Sequence, residues 1–176
     1  MRSYVISISE NEESQSAADR CISSGESHGI YIQKFDAVTP KSDVYKICDE
    51  IGITTRNFNN RNSRIENAIG CFLSHYKLWE VSISIDEPIA IFEHDAIITA
   101  PLPDTPPEYC GIIGSPSYNR FVTPNNEGWG RLRSSPYFLG THAYMVTPDG
   151  AKSLVDKSNN EACPPDYYLH ISRFKW

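Results

Sequence analysis

Apolar positions along the chain follow two rhythms: short runs closed by turn residues, which predict strands, and three-to-four-residue spacing, which predicts helices. Residues 3–8 (SYVISI) and 30–35 (IYIQKF) read as strands rich in β-branched and aromatic side chains. Between them, residues 9–16 are polar and read as a loop, while residues 17–24 carry helical spacing ending near Gly25. The opening is therefore a β-α-β unit. Asp36-Ala37-Val38 follows the second strand, where the carboxylate either meets a ligand or caps the turn before Pro40. Residues 44–51 predict a short helix closed by Gly52, and residues 54–62 a polar, asparagine-rich loop. Ser63 and Glu66 form an S-x-x-E capping box, so a helix is predicted from there through Trp79. In it Cys71, His75 and Trp79 fall four apart on one stripe. Gly70 costs a helix interior about 1 kcal/mol relative to alanine, which predicts close packing against a neighbour. His75 reads as a pocket residue or as an interior histidine holding an acceptor, and spacing alone favours the second.

Ile89, Ala90, Ile91 and Phe92 form a continuous apolar run after Pro88 and lead into Glu93, His94 and Asp95. That is the pattern of a central strand of a parallel sheet covered on both faces, with acids at its carboxyl end, where ligands of open α/β sheets bind. Strand alternation puts Glu93 and Asp95 on one side and turns His94 away. Two converging carboxylates suit a hard divalent cation such as Mg²⁺ or Mn²⁺. Residues 101–107 hold four prolines and must be irregular; residues 109–114 return as a strand, expected to be another parallel partner. Residues 115–135 are rich in Gly, Asn, Pro and Ser with interspersed aromatic residues and arginines. So long a connection predicts a lid over 118–133 that closes on a ligand. Residues 138–146 read as a strand, and Thr147-Pro148 as a helix start with proline at the first helical position. Pro164-Pro165 then delivers Asp166 to the start of a last helix, as its N-cap or as a site acid.

Composition adds limits rather than chemistry. The 176 residues suit one domain with a proper core, and 40% hydrophobic with 22% charged residues is ordinary for a soluble protein. A net charge of −6 argues against nucleic acid as a partner, so a phosphate-bearing ligand needs a metal or a local basic group. No apolar run reaches the roughly 20 residues of a transmembrane helix, and the first residues do not read as a signal sequence. A cytoplasmic location, at most peripheral to a membrane, is expected. Five cysteines without a C-x-x-C pair suggest free thiols rather than a disulfide framework or structural zinc.

Four blocks together resemble glycosyltransferase family 25, the group of lipopolysaccharide and procollagen galactosyltransferases. They are YVISI with FDAV at 35–38, AIGCFLSHYKLW at 68–79, IAIFEHDA at 89–96, and GTHAYMVTPDGAKSLVD at 140–156 followed by PPD at 164–166. The family's usual acidic triplet is Glu-Asp-Asp, where this chain has Glu93-His94-Asp95. The resemblance implies a single-domain α/β fold over 1–176, of the GT-A (Rossmann-like) nucleotide-sugar-binding type, with a mostly parallel central sheet flanked by helices. It implies an inverting, metal-dependent transfer of a hexose, galactose, glucose and an N-acetylated sugar all being candidates, from a nucleotide-sugar such as a UDP-hexose. The acceptor would be a hydroxyl on a glycan, lipid-linked sugar or protein. It places the donor against Ser7, Asp36, Ala37, Glu93 and His75, Mn²⁺ or Mg²⁺ on Asp95 and Glu93, and the catalytic work on Asp95 and Asp166. A diphosphate leaving group needs its charge stabilised, and an attacking hydroxyl needs a base within about 3 Å; Asp166 is that base by likeness to the family. The alternatives are a nucleotide-sugar or glycan binding protein that keeps the fold without turnover, and a metallohydrolase using His75, His94, Asp95 and Asp166. No paired-ligand helix motif supports the latter.

Overall fold

The computed structural model describes residues 1–59, 64–114, 129–130, 138 and 140–170. Among them the β-α-β opening is present as β1 (Arg2–Ser7), α1 (Glu12–Glu26) and β2 (Ile32–Asp36), the strands pairing in parallel. The helix begins earlier than its apolar spacing suggests. Asn11 caps it by accepting from the Ser14 N–H at 2.8 Å, and Glu12 and Glu13 sit favourably in its positive first turn. The expected loop at 9–16 is thus largely helix: its outer face is polar because it meets water, while Ser14, Ala17, Ala18 and Cys21 make the narrow buried stripe.

Two further helices precede the central strand: α2 (Val44–Glu50), capped by Asp43, and the long α3 (Ile65–Ile85). Arg64 holds the N-cap position of α3, and Ser63, the first member of the expected capping box, lies outside the described residues. The helix continues past Trp79 and stops at Asp86, which adopts a left-handed conformation. Then come β3 (Ile89–Glu93), β4 (Cys110–Ile113), the two-residue β5 (Trp129–Gly130), β6 (Ala143–Val146), α4 (Pro148–Glu161) and α5 (Pro165–Tyr168). Thr147 caps α4 by accepting from the Gly150 N–H, with Pro148 at the first helical position as expected. Of the expected lid at 118–133, only 129–130 belongs to the described residues.

The strands form one sheet in the order β2-β1-β3-β6-β4-β5. The α/β class with helices flanking a Rossmann-like opening is as expected, but the sheet is mixed. β2, β1 and β3 run parallel, whereas β6 pairs antiparallel with both β3 and β4; β4 therefore runs in the direction of β3, as its sequence suggested, but the reversed β6 lies between them, so it has no parallel neighbour. A strand buried on both faces reads as the same apolar run in either direction, so pattern alone does not set its polarity. Alternation along β3 separates two cores. Ile89 and Ile91 pack with Phe72, Leu73, Trp79 and Tyr144 on the α3 side, while Ala90 and Phe92 pack with Ala18, Cys21 and Met145 on the α1 side. Glu93, next in that alternation, emerges on the α3 side at the sheet's carboxyl edge.

Candidate functional site

The carboxyl ends of β1, β2 and β3 open onto a cavity of about 570 Å³. Ile6, Ile8, Ala37, Val38 and Pro40 give it apolar walls; Asn67, Cys71, Ser74 and His75 of α3 form one side, and Glu93 and His94 close the end of β3. Size and lining suit a small organic ligand held by apolar contact and a few polar groups.

Close backbone approach fixes the wall between β2 and α3. A Cβ added to Gly70 would lie 2.5 Å from the Val38 carbonyl oxygen, so only glycine lets the helix reach this segment, the close packing expected of Gly70. The buried Ser74 hydroxyl accepts from the Val38 N–H at 2.9 Å and donates to the Gly70 carbonyl at 2.8 Å. Lys41 and Glu10 form an ion pair on the cavity wall. Lys41 is its one lysine or arginine among the described residues.

His75 is both of the things its spacing allowed. Its side chain is fully buried, with Nδ1 2.9 Å from the Tyr144 hydroxyl, which accepts from the Trp79 indole N–H at 2.8 Å. Its Nε2 lies 3.6 Å from Glu93 Oε1, beyond hydrogen-bond reach, and has no hydrogen-bond partner. Burial carries the Tyr144 phenol pKa well above its ordinary value, so the hydroxyl keeps its proton.

Asp166 reaches the same region from the far end of the chain. Pro164, not Asp166, holds the N-cap position of α5; the Asp166 carboxylate instead accepts from the Thr141 hydroxyl at 2.6 Å, a charge-assisted bond. Tyr168 locks α5 in place. Its ring stacks on Trp79 and meets Phe72 edge-on, and its hydroxyl donates to the Leu154 carbonyl. Thr141 is buried and holds a left-handed φ of 36°, uncommon for a β-branched residue and tolerated where the surroundings enforce it. Cys71 ties Asp166 to the cavity. It is exposed on a concave wall, and displaced water, then the Glu93 and Asp166 carboxylates, push its thiol pKa strongly up.

The first 104 residues, β1 through the proline-rich stretch after β3, match the family described as glycosyltransferase family 25, lipopolysaccharide biosynthesis protein. The chain belongs to glycosyltransferase family 25. No curated protein matches it significantly. The matched residues include the cavity walls and Glu93-His94-Asp95; Thr141 and Asp166 come from the stretch beyond. Family 25 membership makes the chain a glycosyltransferase. Among its described residues no helix is long and apolar enough to cross a membrane.

The residues expected to serve this glycosyltransferase fall into two groups. Ala37, Glu93 and His75 line the cavity. Ser7 is buried, its hydroxyl accepting from Gln15 of α1, while its neighbours Ile6 and Ile8 face the cavity; Asp36 is exposed and accepts from the Ser9 N–H of the loop after β1, rather than capping the turn before Pro40. Asp95 also departs from expectation. β3 ends at Glu93 and the chain turns, with the Ala96 N–H donating to the Glu93 carbonyl at 3.0 Å, so strand alternation does not extend to Asp95. Asp95 is exposed and acts on Cys21 of α1, whose thiol is raised to about 11 mainly by burial and then by this carboxylate. His94, expected to point away, lines the cavity instead.

This arrangement bears on the metal that the family resemblance implies. A hard dication takes six or more oxygens, and the cavity receives the carboxylate of Glu93 but not that of Asp95. The expected Glu93 and Asp95 pair thus does not converge on the cavity, and of the two only Glu93 is placed to meet a cation bound there with the donor's phosphates. Lys41, Thr141, Tyr144 and Trp79 were not singled out from sequence as site residues. The GTHAY block carried the family likeness but not these roles, which come from contacts between distant segments.

Proposed function

We propose that the cavity binds the nucleotide-sugar donor of an inverting hexosyl transfer, with a UDP-hexose the first candidate, and that Asp166 activates the acceptor hydroxyl. The observation supporting this is the cavity at the carboxyl ends of β1, β2 and β3, lined by residues of the family match, with the Thr141-bound carboxylate of Asp166 close enough to its wall to raise the Cys71 thiol. The apolar faces of Ile6, Ile8 and Val38 suit the base and ribose, and the Lys41 ammonium suits the diphosphate. As the hydroxyl oxygen attacks the anomeric carbon, its proton passes to the Asp166 carboxylate. The bond from that carbon to the diphosphate oxygen breaks, and the nucleoside diphosphate leaves with the electron pair. Thr141 orients the carboxylate by donating to one oxygen and leaves the other for the acceptor. The acceptor is a hydroxyl of a glycan, lipid-linked sugar or protein.

The test is a melting-temperature screen of UDP-sugars with the full chain, followed by transfer to candidate acceptors. A ligand at 100 times its dissociation constant stabilises by about 2.7 kcal/mol. Stabilisation by a nucleotide-sugar that disappears when Val38 and Lys41 are both replaced supports the reading; no stabilisation by any nucleotide-sugar defeats it.

A further inference from the structure

We propose that Cys71, His75 and Glu93 form a binding site for a zinc-class divalent cation in the cavity wall, with a fourth position open to the cavity. This goes beyond the donor reading and differs from a hard-cation site on Glu93 and Asp95. One donor atom from each residue lies within 4.8 Å of the others: a thiol sulfur, an imidazole nitrogen and a carboxylate oxygen. Cys71 and His75 are one helical turn apart on α3, the i, i+4 spacing that lets two side chains on one helix face share a metal. Glu93 approaches from β3, so the site joins two rigid elements rather than loops.

The buried Nε2 of His75 supplies the independent sign. It has no partner, although the side chain is fully enclosed and its other nitrogen is held at 2.9 Å by Tyr144. An orphaned buried nitrogen carries a cost that a ligand removes. With the Nδ1–H donating to the Tyr144 oxygen, which also accepts from Trp79, the ring is held with Nε2 bare for the ion, as a second-nitrogen partner holds a metal-binding histidine. The 3.6 Å between Nε2 and Glu93 Oε1 is too long for a hydrogen bond but close to the separation of two ligands on one ion. Around tetrahedral zinc, ligand atoms sit roughly 3.3–3.8 Å apart, so the widest separation must close by about 1 Å.

The donor set chooses the ion. Sulfur, nitrogen and a single carboxylate suit borderline-soft Zn²⁺, whereas Mg²⁺ and Ca²⁺ want oxygen throughout. Three protein ligands with an open position are the arrangement of a reactive rather than a purely structural zinc. The Glu93 carboxylate lies within 4.8 Å of the Cys71 sulfur, and both it and Asp166 raise that thiol, so negative charge is already gathered where a dication would sit.

Co²⁺ and Zn²⁺ alone, added to the full chain without nucleotide, test the proposal independently of glycosyl transfer. The expected result is one equivalent of Co²⁺ with a thiolate-to-cobalt band in the near ultraviolet and tetrahedral visible bands, all displaced by Zn²⁺. Cys71→Ser, at an exposed position, should keep the melting temperature, abolish the near-ultraviolet band and weaken Zn²⁺ by a factor on the order of 100, since even losing a group that only orients a ligand costs about 10–100-fold. Nitrogen-15 resonances of His75 should move to those of a ring metallated at Nε2 and protonated at Nδ1. Absence of the near-ultraviolet band in the unaltered chain overturns the proposal. So does a band that persists in Cys71→Ser, or His75 resonances unmoved at saturating Zn²⁺.

Discussion

Replacing Gly70 with alanine sets two opposing effects against each other, and the structure decides the sign. In an exposed helix interior the change stabilises by about 1 kcal/mol, because alanine loses less backbone freedom and shields the helix. Here the new Cβ would lie 2.5 Å from the Val38 carbonyl oxygen, against the 3.4 Å at which ordinary contact begins, with the Val38 carbonyl carbon and Thr39 Cα behind it. All three atoms are backbone, so the segment after β2 must move by about 0.9 Å, and overpacking of this kind costs about 1–3 kcal/mol. The shift also strains the Ser74 bond to the Val38 N–H, whose loss adds about 0.5–1.5 kcal/mol. A net loss of about 0.5–3.5 kcal/mol is expected despite the gain in helix propensity. For a chain of this size that lowers the melting temperature by about 1–10 °C, with a matching fall in the urea midpoint at unchanged slope. Donor affinity should fall as well, since Val38 and Thr39 line the cavity. An alanine variant as stable as the parent, or more so, would refute the close approach and with it this account of the cavity wall.

Ser74→Ala leaves the buried Val38 N–H without an acceptor and should cost about 1–3 kcal/mol by urea unfolding. Asp166→Asn keeps an oxygen for Thr141, so folding and donor binding should persist while transfer, followed by sugar-product formation, falls on the order of 10² to 10⁴-fold; unchanged turnover removes Asp166 from the mechanism. Lys41→Met should shift stability by less than about 1 kcal/mol, because its ion pair with Glu10 is exposed, yet weaken the donor measurably in calorimetric titration. Asp95→Asn should leave donor affinity unchanged; a strong loss would show that the turn after β3 rearranges to bring this carboxylate to the ligand.

The chain's own pattern determined the local elements with a strong internal signature. The apolar run 89–92 made a central strand, Thr147-Pro148 a capped helix, Gly70 a close approach, and the β-α-β opening its alternating layers. These depend on periodicity, caps and steric size, properties that residues carry within a few positions of one another. The helix start at Asn11 was also written locally, but a helix with one wet face looks like a loop until its narrow buried stripe has something to pack on. Only tertiary structure decided the rest. The reversed direction of β6, and its place between β3 and β4, depend on how the chain returns to the sheet, since an apolar run is the same read either way. The position of Asp95 goes with the turn closed by the Ala96 N–H to Glu93 carbonyl bond, where the strand has ended two residues too early for alternation to carry the second acid into the cavity. Asp166 reaches Thr141, and His75 reaches Tyr144 and Glu93, across 25, 69 and 18 positions of chain. Such pairings form when packed layers bring distant segments together, which is why the site's composition could be guessed from sequence and its geometry could not.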